Sequence, residues 1–415
     1  MSRGVVIVGA SHAGVQVAAS LKDLGYDQPI TLIHGELPTP YQRPPLSKAF
    51  LAGQTDADGL VLRSPSYYGD KAITLLSGVR VTAISPEDKT LSLETLPGAP
   101  AAQNAPTTLS YDHLVLATGA DARTLPVPGG DLPGVLKLRD MAEANALKTA
   151  LAAAESLAIA GAGFIGLEVA ATARKLGKTV TVIEAQDRVL ARLFPPIMSD
   201  FITRRHQEAG TRFRFNATID QVIEMENGGK QISLSGGDQI TADLVVVGIG
   251  AEVNDTLGRA AGLKCGNGIL VDETCLTSNP DISAAGDCAA WKLLGSSRYS
   301  RTESVQNAVD QAKIIAARLT GTEIPVQVAP WFWSDQLDIK LQMVGDALEF
   351  DDIVIRGSME EAKFSLLYYQ GDALVRVDSV NRAIDHIAAR KLVTNRTSVP
   401  KDATADIGVK LKNFV

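Results

Sequence analysis

Residues 5–18 read "VVIVGASHAGVQVA". Four branched apolar residues run into a glycine, and a stretch of small residues follows. That order is a buried strand, a tight turn and a closely packed helix, the opening of a dinucleotide-binding βαβ unit. The fingerprint of such a unit is G-x-G-x-x-G. Here Gly9 and Gly14 hold the first and last places, but Ser11 stands in the middle. The stretch therefore raises a question that the rest of the chain has to answer: a damaged motif, a chance match, or a phosphate site that tolerates serine.

Further on, "LAIAGAGFIGLEVAATARKLGKTVTVIEAQ" (157–186) repeats "VVIVGASHAGVQVAASLKDLGYDQPITLIHGE" (5–36) along its length: strand, glycine turn, helix, Leu-Gly, strand, acidic end. The second copy is complete, with Gly161, Gly163 and Gly166. The first glycine permits the turn, the second lets the backbone approach a pyrophosphate, and the third lets the helix pack on the strand. The pyrophosphate would sit at the helix N-terminus, where free N–H groups and the helix dipole favour an anion. One such motif is weak evidence, because glycine turns often serve packing alone. Two in full βαβ context predict two dinucleotide sites.

Each copy also carries a candidate ribose partner. The strand "TVTVIEA" ends in Glu184, a carboxylate that can accept both ribose hydroxyls and would repel a 2′-phosphate, so it favours NADH over NADPH. Arg188 and Arg192 follow closely and temper that preference. In the first copy "ITLIHGE" ends near Glu36, one residue out of register with Glu184.

Short apolar runs ending in glycine or Thr-Gly recur at Val5–Val8, Leu114–Ala117, Leu157–Ala160 and Leu244–Val247. They read as buried parallel strands. Helical patterns at Gly14–Leu24, Met141–Ala154 and Ile165–Leu176 alternate with them, which predicts a doubly wound α/β fold. Leu96–Thr108, "LPGAPAAQNAPTT", reads as a long hairpin loop. From Trp331 onward strand-like stretches dominate, followed by a helical piece at Ala383–Lys391, and Thr394–Val415 reads as a loosely held tail.

Composition narrows the class. The 415 residues are 45% apolar and 21% charged with a net charge of −7, ordinary for a globular protein and unlike a nucleic-acid binder. No apolar leader is read at the N-terminus, and Glu155 and Glu168 interrupt the stretch most like a membrane span, Leu151–Ala173. A cytoplasmic location without membrane association is expected. The five histidines form no metal-ligand cluster, so no metal site is expected. Of the three cysteines, Cys265, Cys275 and Cys288, none has CxxC spacing; they read as packing residues of a reducing compartment.

Two further motifs complete the pattern. "LVLATGA" (114–120) is a strand ending in Thr118-Gly119, and "ISAAGDCA" (282–289) is a strand ending in Gly286-Asp287. With Gly248-Ile249-Gly250 between them, the chain reads glycine turn, A-T-G, glycine turn, G-I-G, G-D. In this order it resembles the flavoproteins with two dinucleotide-binding domains. The resemblance implies a glutathione-reductase-like α/β fold of two Rossmann-like domains plus a small α+β C-terminal domain. FAD would bind the first site and NADH the second, with Asp287 on the FAD ribityl chain. The implied domains are 1–118 with 249–327 for FAD, 119–248 for NAD, and 328–415 at the C-terminus.

Many such enzymes carry redox cysteines in their first seventy residues. This chain has no cysteine before Cys265 and reads "PYQRPPLSKAFL" (40–51) instead. Without a thiolate there is no disulfide or sulfenate relay. "PYQRPPLSK", "GFIGLEVAATA", "AAGDCA", "RTESVQNAVDQAK", "APWFWSDQ" and "VDSVNR" resemble the FAD-dependent ferredoxin reductases of bacterial oxygenase systems, over nearly the whole chain. Ser11 and the Leu96–Thr108 loop depart from that group.

The resemblance implies an NADH-dependent oxidoreductase that passes single electrons to a [2Fe–2S] ferredoxin feeding a cytochrome P450 or a ring-hydroxylating dioxygenase. It places Gly9, Ser11, Ala13, Gly14, Arg43, Thr118 and Gly119 around FAD, Val81 and Arg139 beside the adenosine, and the backbone of Val305 near the flavin pyrimidine. Gly250, of the Gly248-Ile249-Gly250 turn, would also belong to the cofactor-binding residues. Lys48 would lie near flavin N5 and Glu168 near the nicotinamide, the two paired. Without the resemblance they read as a surface lysine and an ordinary helix glutamate, although a charge two places after the last fingerprint glycine is odd for a packed helix start. Trp331 and Trp333 alternate onto one strand face, one of them as core and one toward the acceptor. Arg298, Arg301 and Lys313 are candidates for a basic ferredoxin-docking patch, against a plain solvated surface. A monomer is expected. The alternatives are a rubredoxin reductase, an NADH oxidase or peroxidase disfavoured by the missing early cysteine, and an NADH-binding signalling flavoprotein like apoptosis-inducing factor.

Overall fold

A computed structural model describes residues 3–99, 106–292, 298–345 and 349–415. Two compact units emerge. The first is Met1–Arg43, Ala57–Asp121 and Glu252–Gln327; the second is Pro44–Asp56, Ala122–Ala251 and Val328–Val415.

In the first unit five parallel strands lie in the spatial order Ile282–Ala284, His113–Leu116, Val5–Val8, Ile30–His34, Ile73–Ser77. Every residue of Val5–Val8 and of His113–Leu116 is buried, which is why both runs are continuously apolar rather than alternating. The strand order reverses between these two, and a crevice at such a switch point is where open α/β sheets bind ligands. Helices His12–Asp23 and Val305–Thr320 pack together through alanines and other small residues. The second begins at a Ser304 N-cap, whose side chain accepts from Asn307 N at 3.1 Å, and ends at Gly321 in the left-handed region.

The second unit repeats the plan. Its parallel sheet runs Arg212–Arg214, Thr179–Ile183, Ser156–Ala160, Leu244–Val247, Val135–Lys137, with the reversal between Ser156–Ala160 and Leu244–Val247. The repeat reaches further than the sequence comparison did. Each sheet is accompanied by a three-stranded antiparallel meander just before the strand that crosses the reversal, His113–Leu116 or Leu244–Val247: Val79–Ser85, Thr90–Thr95, Thr108–Ser110 in one and Ile219–Glu224, Lys230–Leu234, Gln239–Ala242 in the other. The flanks of the predicted hairpin loop are thus antiparallel strands; its residues 100–105 lie outside the described residues.

The C-terminal segment adds a five-stranded antiparallel sheet with its own core, where Val344, Leu367, Tyr369 and Val377 meet Ala389 and Leu392 of helix Ala383–Thr394. The loosely held tail is a correction. Arg356, 1% exposed, donates from Nη1 to Thr404 O at 3.0 Å and Asp406 O at 2.5 Å, and from Nη2 to Val409 O at 2.8 Å, while its Nε meets Asp385 Oδ2 at 3.1 Å. A buried guanidinium has to find several acceptors, and the terminal segment supplies them as backbone carbonyls. Val399 and Leu411 are buried as well.

No helix among the described residues is long and apolar enough to cross a membrane. The Leu151–Ala173 stretch is the end of one helix, the strand Ser156–Ala160 and the start of helix Phe164–Lys175.

Candidate functional sites

The first cradle lies at the C-terminal ends of Val5–Val8 and His113–Leu116. Gly9 has φ +105°, and a Cβ there would fall 2.2 Å from Ala117 O. Gly14 is equally constrained, since a Cβ would meet Gly9 O at 1.9 Å. The middle position is different. Ser11 is the helix N-cap with extended backbone, φ −99° and ψ −158°, and its side chain makes no capping bond. Its counterpart Gly163 is also an N-cap, with φ −78° and ψ −179°, and the nearest atom to a Cβ there is 3.9 Å away. The fold therefore requires glycine at the outer two places only, and serine fits the middle without strain.

Other expected groups gather at the same sheet edge. Thr118 Oγ1 donates to Asn254 O at 2.5 Å. Gly286-Asp287 follows the strand Ile282–Ala284, Gly286 N donates to the buried Gln311 Oε1 at 2.7 Å, and a Cβ on Gly286 would lie 3.2 Å from the Ala13 Cβ. Val305 opens helix Val305–Thr320, in a first turn whose N–H groups have no intrahelical acceptors. Glu36 lies just past its strand, with Oε1 on Arg43 Nη2 at 2.5 Å and Oε2 accepting from Tyr41 OH at 2.5 Å. The expected ribose and phosphate partners of the first nucleotide thus pair with each other. The Val81 side chain packs in the core.

The second cradle has the same construction. Gly161 has φ +97° and a Cβ would lie 2.4 Å from Gly248 O; on Gly166 it would meet Gly161 O at 2.2 Å. Gly250, φ +110°, has nothing within 4 Å of that position. Glu184 Oε2 accepts from Ala162 N at 2.7 Å and Oε1 from Gln186 N at 2.9 Å, so the carboxylate is fixed against the fingerprint loop. Arg188 is engaged by Asp187 at 2.9 Å and Ala191 O at 3.0 Å, while Arg192 is exposed. Arg139 occupies the turn before helix Met141–Ala153, next to its Asp140 cap. Both cradles fit a dinucleotide: a tight turn, an open middle position, a helix N-terminus and, in the second, a fixed carboxylate.

The second unit also brings Lys48 and Glu168 together. Lys48 Nζ lies 2.8 Å from Glu168 Oε1, and the glutamate is 3% exposed. Ser47 Oγ donates to Glu168 Oε2 at 2.5 Å, and Ser334 Oγ to Oε1 at 2.6 Å. The sequence reading missed both serines. Ser334 stands in the quoted "APWFWSDQ", on the strand face opposite the tryptophans. Trp331 and Trp333 do share a face, with ring centres 5.7 Å apart; His386 meets Trp331 edge-on at 5.3 Å and Arg390 lies over its ring at 4.9 Å. Of the docking candidates, Arg301 is turned inward to Asp287 O at 3.2 Å and pairs with Glu303, whereas Arg298 and Lys313 are exposed.

The cysteines are inert. Cys275 and Cys288 are fully buried and Cys265 partly so, and burial pushes all three thiols above their ordinary range. No metal-ligand cluster occurs among the described residues.

The Pyridine nucleotide-disulphide oxidoreductase family model matches residues 3–312, and the Reductase C-terminal model matches 331–415. Rhodocoxin reductase of Rhodococcus erythropolis is 43% identical over 408 residues, covering 98% of this chain and 93% of the relative. The solved ferredoxin reductase for the CYP199A2 system from Rhodopseudomonas palustris is 44% identical, with TM-score 0.93 and 99% of each chain covered. The covalent putidaredoxin reductase–putidaredoxin complex matches at 38% identity and TM-score 0.92, over 99% of this chain and 98% of that one. FAD and NAD(H) are accordingly the two dinucleotides this enzyme uses. Two glycine cradles on a duplicated parallel sheet, followed by the antiparallel C-terminal segment, make the chain a member of the pyridine nucleotide-disulphide oxidoreductase family.

Proposed function

We propose that the chain is an NADH-dependent ferredoxin reductase, passing electrons one at a time to a [2Fe–2S] ferredoxin that feeds a P450 or a ring-hydroxylating dioxygenase. The observation that carries this reading is the state of the cysteines. A chain of this family with no thiol before Cys265, and with its three cysteines free, two of them sealed in the core, has no disulfide to accept an electron pair. When bound, FAD supplies the conversion from a two-electron hydride to single electrons.

The remaining work belongs to this chain's residues. Gly9, Ser11, Ala13 and Gly14 present the first helix N-terminus to the FAD pyrophosphate, with Thr118, Gly119, Arg43 and the Val305 backbone around the cofactor and Asp287 on its ribityl hydroxyls. Glu36, Val81 and Arg139 belong to the adenosine side. Gly161, Gly163, Gly166 and Gly250 receive NADH, and Glu184 takes its adenosine ribose. Lys48 stabilises negative charge developing at the flavin, and Glu168 orients the nicotinamide. Trp331 belongs to the acceptor side, with Arg298 and Lys313 as cations for an acidic ferredoxin. Rhodocoxin reductase and the CYP199A2-system reductase, similar over essentially the whole chain, support the choice of acceptor. The test is anaerobic stoichiometry: about two ferredoxins reduced per NADH consumed, against a rubredoxin control. NADH oxidation that no [2Fe–2S] ferredoxin accelerates would contradict the reading.

A further inference from the structure

The strand Trp331–Gln336 lies on helix Phe164–Lys175 in register. Phe332 packs on Phe164, with ring centres 4.7 Å apart. Ser334 bonds Glu168. Lys175 Nζ, at the far end, donates to Leu337 O at 2.8 Å. Four residues along a helix advance about 6 Å and two along a strand about 6.8 Å, so Phe164–Glu168 and Phe332–Ser334 are matching steps. All of these residues belong to one unit.

Behind Ser334 the polar chain continues. Gln336 Nε2 donates to Ser334 Oγ at 3.1 Å, and His206 Nε2 meets Gln336 Oε1 at 3.0 Å. Ser334, Gln336 and His206 are all buried. The directions are forced. Glu168, paired with Lys48, only accepts, so Ser334 donates its proton to it. Ser334 Oγ then accepts from the Gln336 amide, which turns Gln336 Oε1 toward His206, and His206 donates from Nε2. Burial holds that imidazole below its ordinary range, and its Nδ1 has no partner among the described residues, which fits a bare lone pair there better than a buried N–H. On the other side Thr172 Oγ1 donates to Ser47 O at 2.8 Å, and Ser47 donates to Glu168.

We propose that Ser334 and Gln336, backed by His206, are positioning residues for hydride transfer: they fix the Glu168 carboxylate, and through it Lys48, from the C-terminal segment of the chain. The inference rests on the assignment of Glu168 to the nicotinamide. It gives the strand two tasks on its two faces, the tryptophan pair on one and the Glu168 anchor on the other.

The test uses the flavin-loaded full chain carrying Ser334→Ala, Ser334→Thr, Gln336→Met, Glu168→Ala and the Ser334→Ala/Glu168→Ala double change. Stopped-flow gives the rate of flavin reduction by NADH, calorimetry the Kd of NAD+, and melting curves report folding. Loss of positioning predicts reduction slowed about ten- to a hundredfold in Ser334→Ala, with the NAD+ Kd changed less than about threefold and the rate largely restored in Ser334→Thr. Gln336→Met, which cannot donate, slows reduction in the same sense and covers the case that Ser334→Ala does not fold. In the double variant the serine change adds nothing to the glutamate change. Wild-type reduction rates in Ser334→Ala and Gln336→Met beside a slow Glu168→Ala would overturn the positioning role alone. Full additivity in the double variant would do the same. A wild-type rate in Glu168→Ala would remove the assignment of Glu168, and the positioning role with it.

Discussion

On the proposed assignment, replacing Glu184 and Asp287 separates the two nucleotide sites. Glu184 already bonds Ala162 N and Gln186 N, so its position is set before any nucleotide arrives. Hydrogen bonds to a charged group contribute about 1.5–3 kcal/mol. Glu184→Ala is therefore expected to raise the KM for NADH about tenfold or more while dye turnover at saturating NADH changes little; steady-state kinetics with a dye acceptor checks this, and an unchanged KM would remove the ribose assignment. Asp287→Ala is expected to weaken FAD retention, read as flavin absorbance per protein after gel filtration, and a fully flavinated stable variant would argue against the ribityl role. The places of these two residues were legible because each follows a strand end, Thr179–Ile183 and Ile282–Ala284. Ser47, Ser334 and His206 were not. Their partners lie more than a hundred residues away in the chain, and no local period marks such a pairing. The mutual pairing of Glu36 and Arg43 escaped for another reason, since both had been given to the nucleotide and neither had been considered as the other's partner.

Among the elements, the buried parallel strands were the most legible, because a strand covered on both faces leaves a short apolar run that a glycine ends. The meanders were harder. Val79–Ser85 and Ile219–Glu224 are exposed on one face, and their alternation is too short to stand out. The C-terminal tail was misread because its ties are backbone carbonyls, which carry no sequence signal; the one informative residue is Arg356, in the middle of the strand Asp352–Ser358. Arg356→Leu removes the side-chain donor to those terminal carbonyls, while Asp385 keeps Arg382 and Ser365. Losing these hydrogen bonds from a charged donor costs about 1.5–3 kcal/mol each, so a melting temperature lower by several degrees is expected, together with faster proteolysis after residue 399. A variant as stable as the parent would show that the terminal segment is held by its apolar contacts alone.

At the scale of the molecule, burial holds four histidines below their ordinary range, His34, His113, His206 and His386, and His113 and His386 show the consequence for acid. Burial, reinforced by Arg318, pushes His113 down to about 4, and burial with Arg390 beside it does the same to His386. Unfolded, each ring takes its proton near pH 6.5. The stability these neutral rings contribute is therefore fully present above about pH 6.5 and is lost as pH falls toward 4, where the unfolded chain binds protons that the folded one does not. Melting temperatures measured from pH 7 to 4.5 should fall across that window, and His113→Asn should flatten the fall; a flat profile in the parent chain would contradict it. The duplicated fold itself was readable from two fingerprints and three glycine turns. The acceptor was legible only through the resemblance carried by stretches such as "PYQRPPLSK", because no residue pattern in the cradles distinguishes one iron–sulfur or iron carrier from another; a one-electron acceptor is favoured by the missing early cysteine and by Cys275 and Cys288, which the fold has sealed away.

The central claim is that electrons enter as a hydride from NADH and leave singly to a [2Fe–2S] ferredoxin, with no thiol between. Sequential stopped-flow absorbance tests it most directly: the purified yellow protein is mixed with NADH, then with ferredoxin. The account predicts rapid bleaching of the flavin, then reoxidation in two one-electron steps matched by ferredoxin reduction, unchanged after alkylation of accessible thiols. Rapid bleaching followed by slow reoxidation, indifferent to a panel of ferredoxins and a rubredoxin, would contradict it and leave an NADH-binding flavoprotein that acts by some means other than electron transfer.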